Sequence, residues 1–427
     1  VKRVLILTYY WPPSGGSGVQ RWLKFSKYLP ENGWQPVVYT PSNPEYPSID
    51  PSLERDVPEV AEIIRRPITE PYSIYKRLVG MKKDDRINTG FLSDKEKPGA
   101  MERLSRWVRG NFFIPDARRF WIRPSVRFLT SYLKENPVDL IVSTGPPHSL
   151  HLIARQLKQH TGLPWVADFR DPWTNIDFYE ELMLTKRADR KHHQLEAAVL
   201  NECDKALVVG REMKREFSEL KHPDRIHVIP NGYDADDVAE NREVSADSYF
   251  SLAHIGSFSP ARNVPVLWKV LAQKRRDDAA FADRFRLKIV GSVDYSVNKS
   301  IEAAGLSDAV VHIPYLPHDE VIDEQRKSSV LLLVVNQTKN AKGIVTGKVF
   351  EYLASGRPIL AIGPPDGDLA AILEQCGAGK VIDYNDAEGM LKVLENPVTA
   401  NPEAVARFSR EALTKALSAD VLDPLLK

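Results

Sequence analysis

The chain has 427 residues, 43% of them hydrophobic and 27% charged, with a formal net charge of +1. This length exceeds one ordinary domain and the composition is that of a globular protein with real cores, so two domains are expected. Near-neutral charge gives no general reason to expect nucleic-acid binding, and no apolar run approaches the roughly 18–20 residues that span a bilayer. Cys203 and Cys376 stand far apart, so neither a metal spacing nor a disulfide framework is available. The chain enters a strand directly, with no charged leader or cleavage site. A reducing, cytoplasmic setting is the expectation.

Apolar strand-like runs alternate with helical periods from end to end, which points to an α/β fold with parallel, doubly wound sheets. In the first half, strands are expected at Val4–Thr8, Pro36–Thr40, Asp139–Ser143, Trp165–Asp168, Ala206–Val209 and Ile226–Ile229. In the second half they are expected at Ser251–Ile255, Arg286–Val290, Val310–Ile313, Val330–Val334 and Pro358–Ile362. Most are short continuous apolar runs, as when helices cover both sheet faces. Between the halves, Ile229-Pro-Asn231-Gly232-Tyr-Asp234 and a polar stretch to Ser248 mark a linker, after which the strand–helix count restarts.

Residues 42–125 break this rhythm with many prolines and dense basic residues. Residues 70–135 hold 15 Lys or Arg against 8 Asp or Glu, a local excess of 7, interleaved with Trp107, Phe112, Phe113, Phe120 and Trp121. The excursion is a solvated basic face packed on its own domain, a surface for anionic membrane lipid or a lipid-diphosphate acceptor, or, with no recognised motif behind it, a nucleic-acid face.

Five segments carry residue types suited to chemistry. Pro12-Pro13-Ser14-Gly15-Gly16-Ser17-Gly18 follows the first strand and opens a helix, and is either a close backbone approach to an anion or a tight structural turn. It matches neither the dinucleotide fingerprint nor a P-loop. Ser143-Thr-Gly145-Pro146-Pro147-His148 ends a strand, where ligands of open α/β sheets sit; His148 is either a donor to a sugar or phosphate or a satisfied helix-end group. In Val166-Ala-Asp168-Phe-Arg170-Asp171-Pro172-Trp173, two carboxylates bracket an arginine, giving either an ion network or an acceptor site at Asp168 and Arg170. His254-Ile-Gly256-Ser-Phe-Ser-Pro260-Ala-Arg262 lets a ligand approach at Gly256 and brings in a cation at Arg262. In Lys348-Val-Phe-Glu351-Tyr-Leu-Ala-Ser-Gly356-Arg-Pro358, Lys348 and Glu351 share one face of a first helical turn. A cation for phosphate and a carboxylate for a vicinal diol, one turn apart, suit a nucleoside diphosphate.

With these five segments in this order, the chain resembles the retaining glycosyltransferases of family 4. "GKVFEYLASGRPIL" at Gly347–Leu360 is the most specific marker, "HIGSFSPARN" and "IPNGYD" support it, and "WVADFRDPW" is similar to members that build bacterial surface polysaccharides. The resemblance covers essentially the whole chain. It implies the GT-B fold, with two Rossmann-like domains facing each other across a cleft. These would be an N-terminal acceptor-binding domain, 1–235, joined by a C-terminal helix, 411–427, packing back on it, and a nucleotide-sugar domain, 236–410.

The resemblance also implies roles. Glu351 would hold the ribose hydroxyls, and Arg262 and Lys348 would neutralise the diphosphate. Loop amides at Gly343–Gly347, including Ile344, Val345, Thr346 and Gly347, and at Gly15, Gly16 and Gly18 would meet the phosphates and donor sugar. His148 would meet the sugar near the reacting carbon, and Gly256, Gly291 and Leu316 would line the donor pocket. The family often has two glutamates with seven residues between them, but Gly343 stands where the first would be.

The implied activity is a metal-independent hexosyl transfer from a nucleotide-diphosphate sugar, used as co-substrate with no cofactor, to a glycan or lipid-linked acceptor. A sugar-nucleotide epimerase on the same fold and a non-catalytic scaffold of polysaccharide assembly are the alternatives. A peripheral contact with the cytoplasmic face of an anionic inner membrane, through residues 70–135, is the further expectation.

Overall fold

A computed structural model describes residues 1–46, 48–70, 100–239 and 244–426. Among the described residues, the chain before Asn231 forms one unit together with the segment from Arg410 onward, and Asn231–Ser409 forms a second. The passage between units thus comes at Pro230–Asn231, ahead of the expected break after residue 235. The short helix Ala235–Ala239 belongs to the second unit.

The first unit is built on a parallel sheet of strands β1 (Lys2–Leu7), β2 (Trp34–Pro41), β3 (Glu62–Arg66), β4 (Leu140–Gly145), β5 (Trp165–Phe169), β6 (Lys205–Val208) and β7 (Ile226–Val228). Their order is β3-β2-β1-β4-β5-β6-β7. Because side chains alternate across a strand, β1 feeds two cores. Leu5 and Leu7 join one with Ile141 and Trp165, while Val4 and Ile6 join the other with Leu140, Val142 and Trp22. Leu413, Leu417, Val421 and Leu422 complete the second core, which is why the C-terminal segment belongs to this unit. Trp34 also donates its indole N–H to Asp423 at 3.0 Å.

The second unit repeats the design with β8 (Phe250–Ile255), β9 (Phe285–Val290), β10 (Val310–Ile313), β11 (Val330–Val334), β12 (Ile359–Ile362) and β13 (Val381–Ile382). All pair in parallel, in the order β10-β9-β8-β11-β12-β13. The same alternation divides β11: Leu331 and Leu333 face one core, and Val330, Leu332 and Val334 face the other.

Two strands lie outside the sequence expectation. β3 has only Ile63 and Ile64 as apolar residues in a charged frame, and it sits at the sheet edge with Glu62 paired to Arg3 at 2.6 Å. β13 has two residues, too few for any periodicity. The basic excursion is described only in part, since residues 71–99 lie outside the described residues. Of its aromatics, Trp121 is core, stacked on Tyr39 with centroids 5.2 Å apart, whereas Phe112 and Phe120 are exposed.

Candidate active site

In the second sheet the strand order reverses between β8 and β11, the switch point outside which ligands of open α/β sheets bind. The loop after β8 carries Gly256 and Arg262. The loop after β11 runs through Gly343–Gly347 into the helix Lys348–Ala354. Tyr352 pins that helix to the sheet by accepting from the Ile255 N–H at 3.2 Å.

This brings Lys348 onto Gly256. Gly256 has φ +101°, and a Cβ there would stand 2.5 Å from the Lys348 Nζ. Gly291, at φ +104°, lies against the Gly256 backbone, with room for no side chain between them. Lys348 makes no side-chain hydrogen bond or ion pair among the described residues. Burial, then repulsion from Arg262, lowers its pKa to about 7 against the pull of Glu351. Arg262 is fixed by donating from Nε to Asn336 Oδ1 at 2.8 Å and from Nη1 to the Ser257 carbonyl at 2.8 Å. His254 lies in the same region, stacked on Phe258 at 4.0 Å and held neutral by burial and then by both cations.

The Glu351 carboxylate accepts from the amide of Gln325 at 3.1 Å. In the loop before it, Gly343 and Ile344 spend their N–H groups on Asn340 and Ala341 carbonyls. They therefore offer nothing to a phosphate, contrary to expectation. Val345, Thr346 and Gly347 have no backbone N–H partner among the described residues, and the Thr346 hydroxyl is buried without one. Leu316 packs on the core of this unit, with Tyr315 beside it 75% exposed.

In the first sheet the order reverses between β1 and β4. The loop after β1 places Gly15 under Ser48 and Asp50, with its N–H donated to the Ser48 carbonyl at 2.9 Å. Gly15 is therefore a structural turn, and Gly16, at φ +82°, is the exposed glycine of the loop. Gly18 packs on the Tyr10 ring, and its carbonyl accepts from Arg170.

Arg170 and Asp168 do not form the expected acceptor pair. Asp168 is 0% exposed and accepts from Arg21 Nη2 at 2.9 Å, Trp22 Nε1 at 2.7 Å and Thr144 Oγ1 at 2.8 Å. Burial pushes its pKa up, but Arg21 and these donors outweigh that and hold it low. Arg170 donates to the carbonyls of Gly145, Pro146 and Gly18, tying the loop after β4 to the loop after β1. Both residues hold the switch point together.

His148 ends the loop after β4, stacked on Trp173 with centroids 4.4 Å apart and planes 1° off parallel. Burial, then nearby His151, His192 and Arg170, keeps it neutral. Its Nδ1 and the Nε2 of His151 are buried without partners, and both face Gly145. Trp173 is held in turn, its indole donating to His192 Nδ1 at 3.1 Å and its backbone N–H to Glu196 at 3.2 Å. Gln325, Asn336, His151 and Glu196 carry no motif and are not legible in the sequence as site residues. Tyr352 stands inside the Lys348 motif, but its spacing reads only as helix core.

Residues 89–237 match the model of Glycosyltransferase Family 4. That stretch includes His148, Asp168 and Arg170, while Lys348 and Glu351 lie beyond it. No curated protein matches the chain in sequence. Among solved structures, sucrose-phosphate synthase from Thermosynechococcus elongatus is 15% identical with a TM-score of 0.59, covering 97% of this chain and 96% of its own. The trehalose-6-phosphate synthase OtsA is 10% identical with a TM-score of 0.62, covering 99% of both chains. WaaG, a glycosyltransferase involved in lipopolysaccharide biosynthesis, is 16% identical with a TM-score of 0.54, covering 98% of this chain and 96% of its own. The fold is GT-B. Among the described residues of this GT-B chain, no group of three or more His, Cys, Asp or Glu is placed to hold a metal. No described helix is long and apolar enough to cross a membrane.

Proposed function

We propose that this chain is a retaining glycosyltransferase. It takes a sugar from a nucleotide-diphosphate donor to a glycan or lipid-linked acceptor in polysaccharide biosynthesis, without a metal. The observation that carries the reading is Lys348: a half-buried ammonium with no ion pair among the described residues, beside Arg262 and one helical turn from Glu351. An ammonium half withdrawn from water beside a second cation, with Glu351 near but not paired to it, is favoured by a further anion. A diphosphate supplies that anion, and Glu351 suits the ribose hydroxyls. The family match over 89–237 and the GT-B fold support the same reading.

In the proposed reaction the bond from the anomeric carbon to the diphosphate oxygen breaks, and a bond to the acceptor oxygen forms on the same face. The acceptor proton passes to a donor phosphate oxygen. Lys348, Arg262 and the amides of Val345, Thr346 and Gly347 oppose the charge growing on the leaving group, by electrostatic preorganisation. Neutral His148 offers an imidazole to a sugar hydroxyl. The exposed residues Phe112, Phe120, Arg123, Arg127 and Lys134 suit a peripheral contact with an anionic lipid surface.

A thermal-shift screen against UDP, GDP, dTDP, CMP and their sugar conjugates, with chelator present, tests the donor site. A ligand at 100 times its Kd stabilises by about 2.7 kcal/mol. A shift selective for one nucleoside diphosphate and lost in Glu351→Ala is expected; none with any nucleotide would sink the donor assignment. Product analysis then separates transfer, which releases nucleoside diphosphate and a glycosylated acceptor, from epimerisation, which alters the sugar nucleotide. A scaffold gives neither.

A further inference from the structure

Glu351 accepts a hydrogen bond from a single described side chain, and that donor is neutral, while Lys348 acts on it only through space. Gln325 lies on the helix His318–Lys327, is 2% exposed, and directs its amide at Glu351 Oε2, 3.1 Å away. Facing a carboxylate, the amide must present its NH2 group, so the direction of the bond follows from chemistry. Glu351 Oε1 has no partner among the described residues.

We infer that Gln325 is the positioning residue that turns the Glu351 carboxylate toward the nucleotide ribose. The inference rests on the reading of Glu351 as the ribose ligand and adds what orients it. A glutamate has three torsions to fix, and a carboxylate free to rotate grips a vicinal diol poorly. One hydrogen bond to Oε2 fixes the carboxylate plane and leaves Oε1 and the remaining lone pair of Oε2 for two hydroxyl donors. The choice of an amide matters. A lysine or arginine at 325 would also hold Glu351, but would cancel the charge that hydroxyls need and add a third cation beside Lys348 and Arg262. An amide orients the carboxylate at full charge, and it does so at every pH.

The test compares binding of UDP and GDP with their 2′,3′-dideoxy counterparts by calorimetry, at pH 5.5 and pH 8, in the wild type, Gln325→Leu and Gln325→Glu. In the wild type, the preference for ribose over dideoxyribose is expected at both pH values. Gln325→Leu keeps the bulk and loses the donor, so that preference should fall by about tenfold, the size of one hydrogen bond to a charged group. Gln325→Glu gives a distinctive signature. At pH 5.5 the two carboxyl groups share a proton, which does the work of the amide; at pH 8 both ionise and repel. Its ribose preference should therefore approach the wild type at pH 5.5 and collapse at pH 8. Recovery at the lower pH also shows that the variant is folded.

A Gln325→Leu protein with undiminished ribose preference, or a Gln325→Glu protein whose preference ignores pH, overturns the inference. A wild type that binds a diphosphate but ignores the ribose hydroxyls overturns the reading of Glu351 instead, and this inference with it.

Discussion

The Lys348 ammonium occupies the space that a side chain at Gly256 would need: a Cβ on residue 256 would stand 2.5 Å from Nζ. Gly256 therefore serves two purposes at once. Its φ of +101° turns the chain after β8, and its missing side chain lets a cation rest against the backbone.

Gly256→Ala separates these purposes when set beside Gly162→Ala. Gly162 has φ +74° and nothing within 4 Å of its would-be Cβ, so its substitution carries backbone strain alone, about 1–3 kcal/mol. Gly256→Ala should cost comparable stability and, in addition, weaken nucleotide-sugar binding at least about tenfold by displacing Lys348. Denaturant unfolding and calorimetry on both variants check this. Equal donor affinity in the two would show that Lys348 is not engaged.

Lys348 sets a pH dependence of definite sign. Its folded pKa of about 7 lies below the ordinary lysine value of 10.5, so between these values the unfolded chain binds more protons. Unliganded Lys348→Met should thus be more stable than the wild type at pH 6, with the gap closing as pH rises from 7 toward 10.5. Binding has the opposite demand, since a diphosphate needs the ammonium charged. Affinity for an intact sugar nucleotide should fall above about pH 7 in the wild type and stay flat in Lys348→Met. A parallel decline in both proteins would remove Lys348 from the phosphate site.

How far the sequence carries the fold can be judged strand by strand. β11 and β12 are apolar runs buried on both faces, and a chain has few other uses for such runs, whereas β9 carries Arg286 and Lys288 and is legible through the apolar residues around them. β3 is legible only through its neighbours, because an edge strand needs little apolar surface. In the site, Lys348, Glu351, Gly256 and Arg262 are visible because each lies at a strand-to-helix turn with a distinctive neighbour. Asp168 departs from its sequence reading for a physical reason. The sequence shows Arg170 two residues away, just past the end of β5, but Arg21 on a distant helix takes the carboxylate while Arg170 turns to loop carbonyls. Gln325 sits in an ordinary polar helix, and only the packing of that helix beside Glu351 gives it meaning.

Asp168 should accordingly behave as a structural residue. Asp168→Ala removes the buried carboxylate that Arg21, 1% exposed, Trp22 and Thr144 all donate to, a loss of about 3–5 kcal/mol. Since the folded pKa is lowered, this stabilisation is present above the unfolded carboxylate value and is lost as pH falls through the folded one. Urea unfolding at pH 7 should show the loss. An intact midpoint with a raised acceptor KM would restore Asp168 to the acceptor site.

The proposed lipid contact rests on a stripe. Arg123, Arg127 and Lys134 are exposed on one side of the helix Ile122–Glu135, with Phe120 exposed ahead of it. Co-sedimentation with vesicles rich in anionic phospholipid is expected, weakening with salt; each of the basic residues contributes about 1 kcal/mol at the surface. The triple alanine variant at 123, 127 and 134 should lose most of this binding while keeping its nucleotide thermal shift. Unchanged binding would place the contact elsewhere.

Trp173 offers the sharpest test in the first unit. Its indole covers His148 face to face and is itself anchored by His192 and Glu196, so it both orients the imidazole and shuts out water. Burial is the first cause of the lowered His148 pKa, so opening that face should raise it. In the wild type the His148 ring protons should show no titration by NMR near the ordinary 6.5. In Trp173→Ala the ring should titrate nearer the ordinary 6.5, and turnover should gain an acid limb there as the imidazole loses its lone pair. Trp173→Phe keeps an aromatic cover and should lie between the two, which guards against a folding defect in the alanine variant. If His148 titrates identically in all three proteins, the stack does not set its protonation and Trp173 is packing alone.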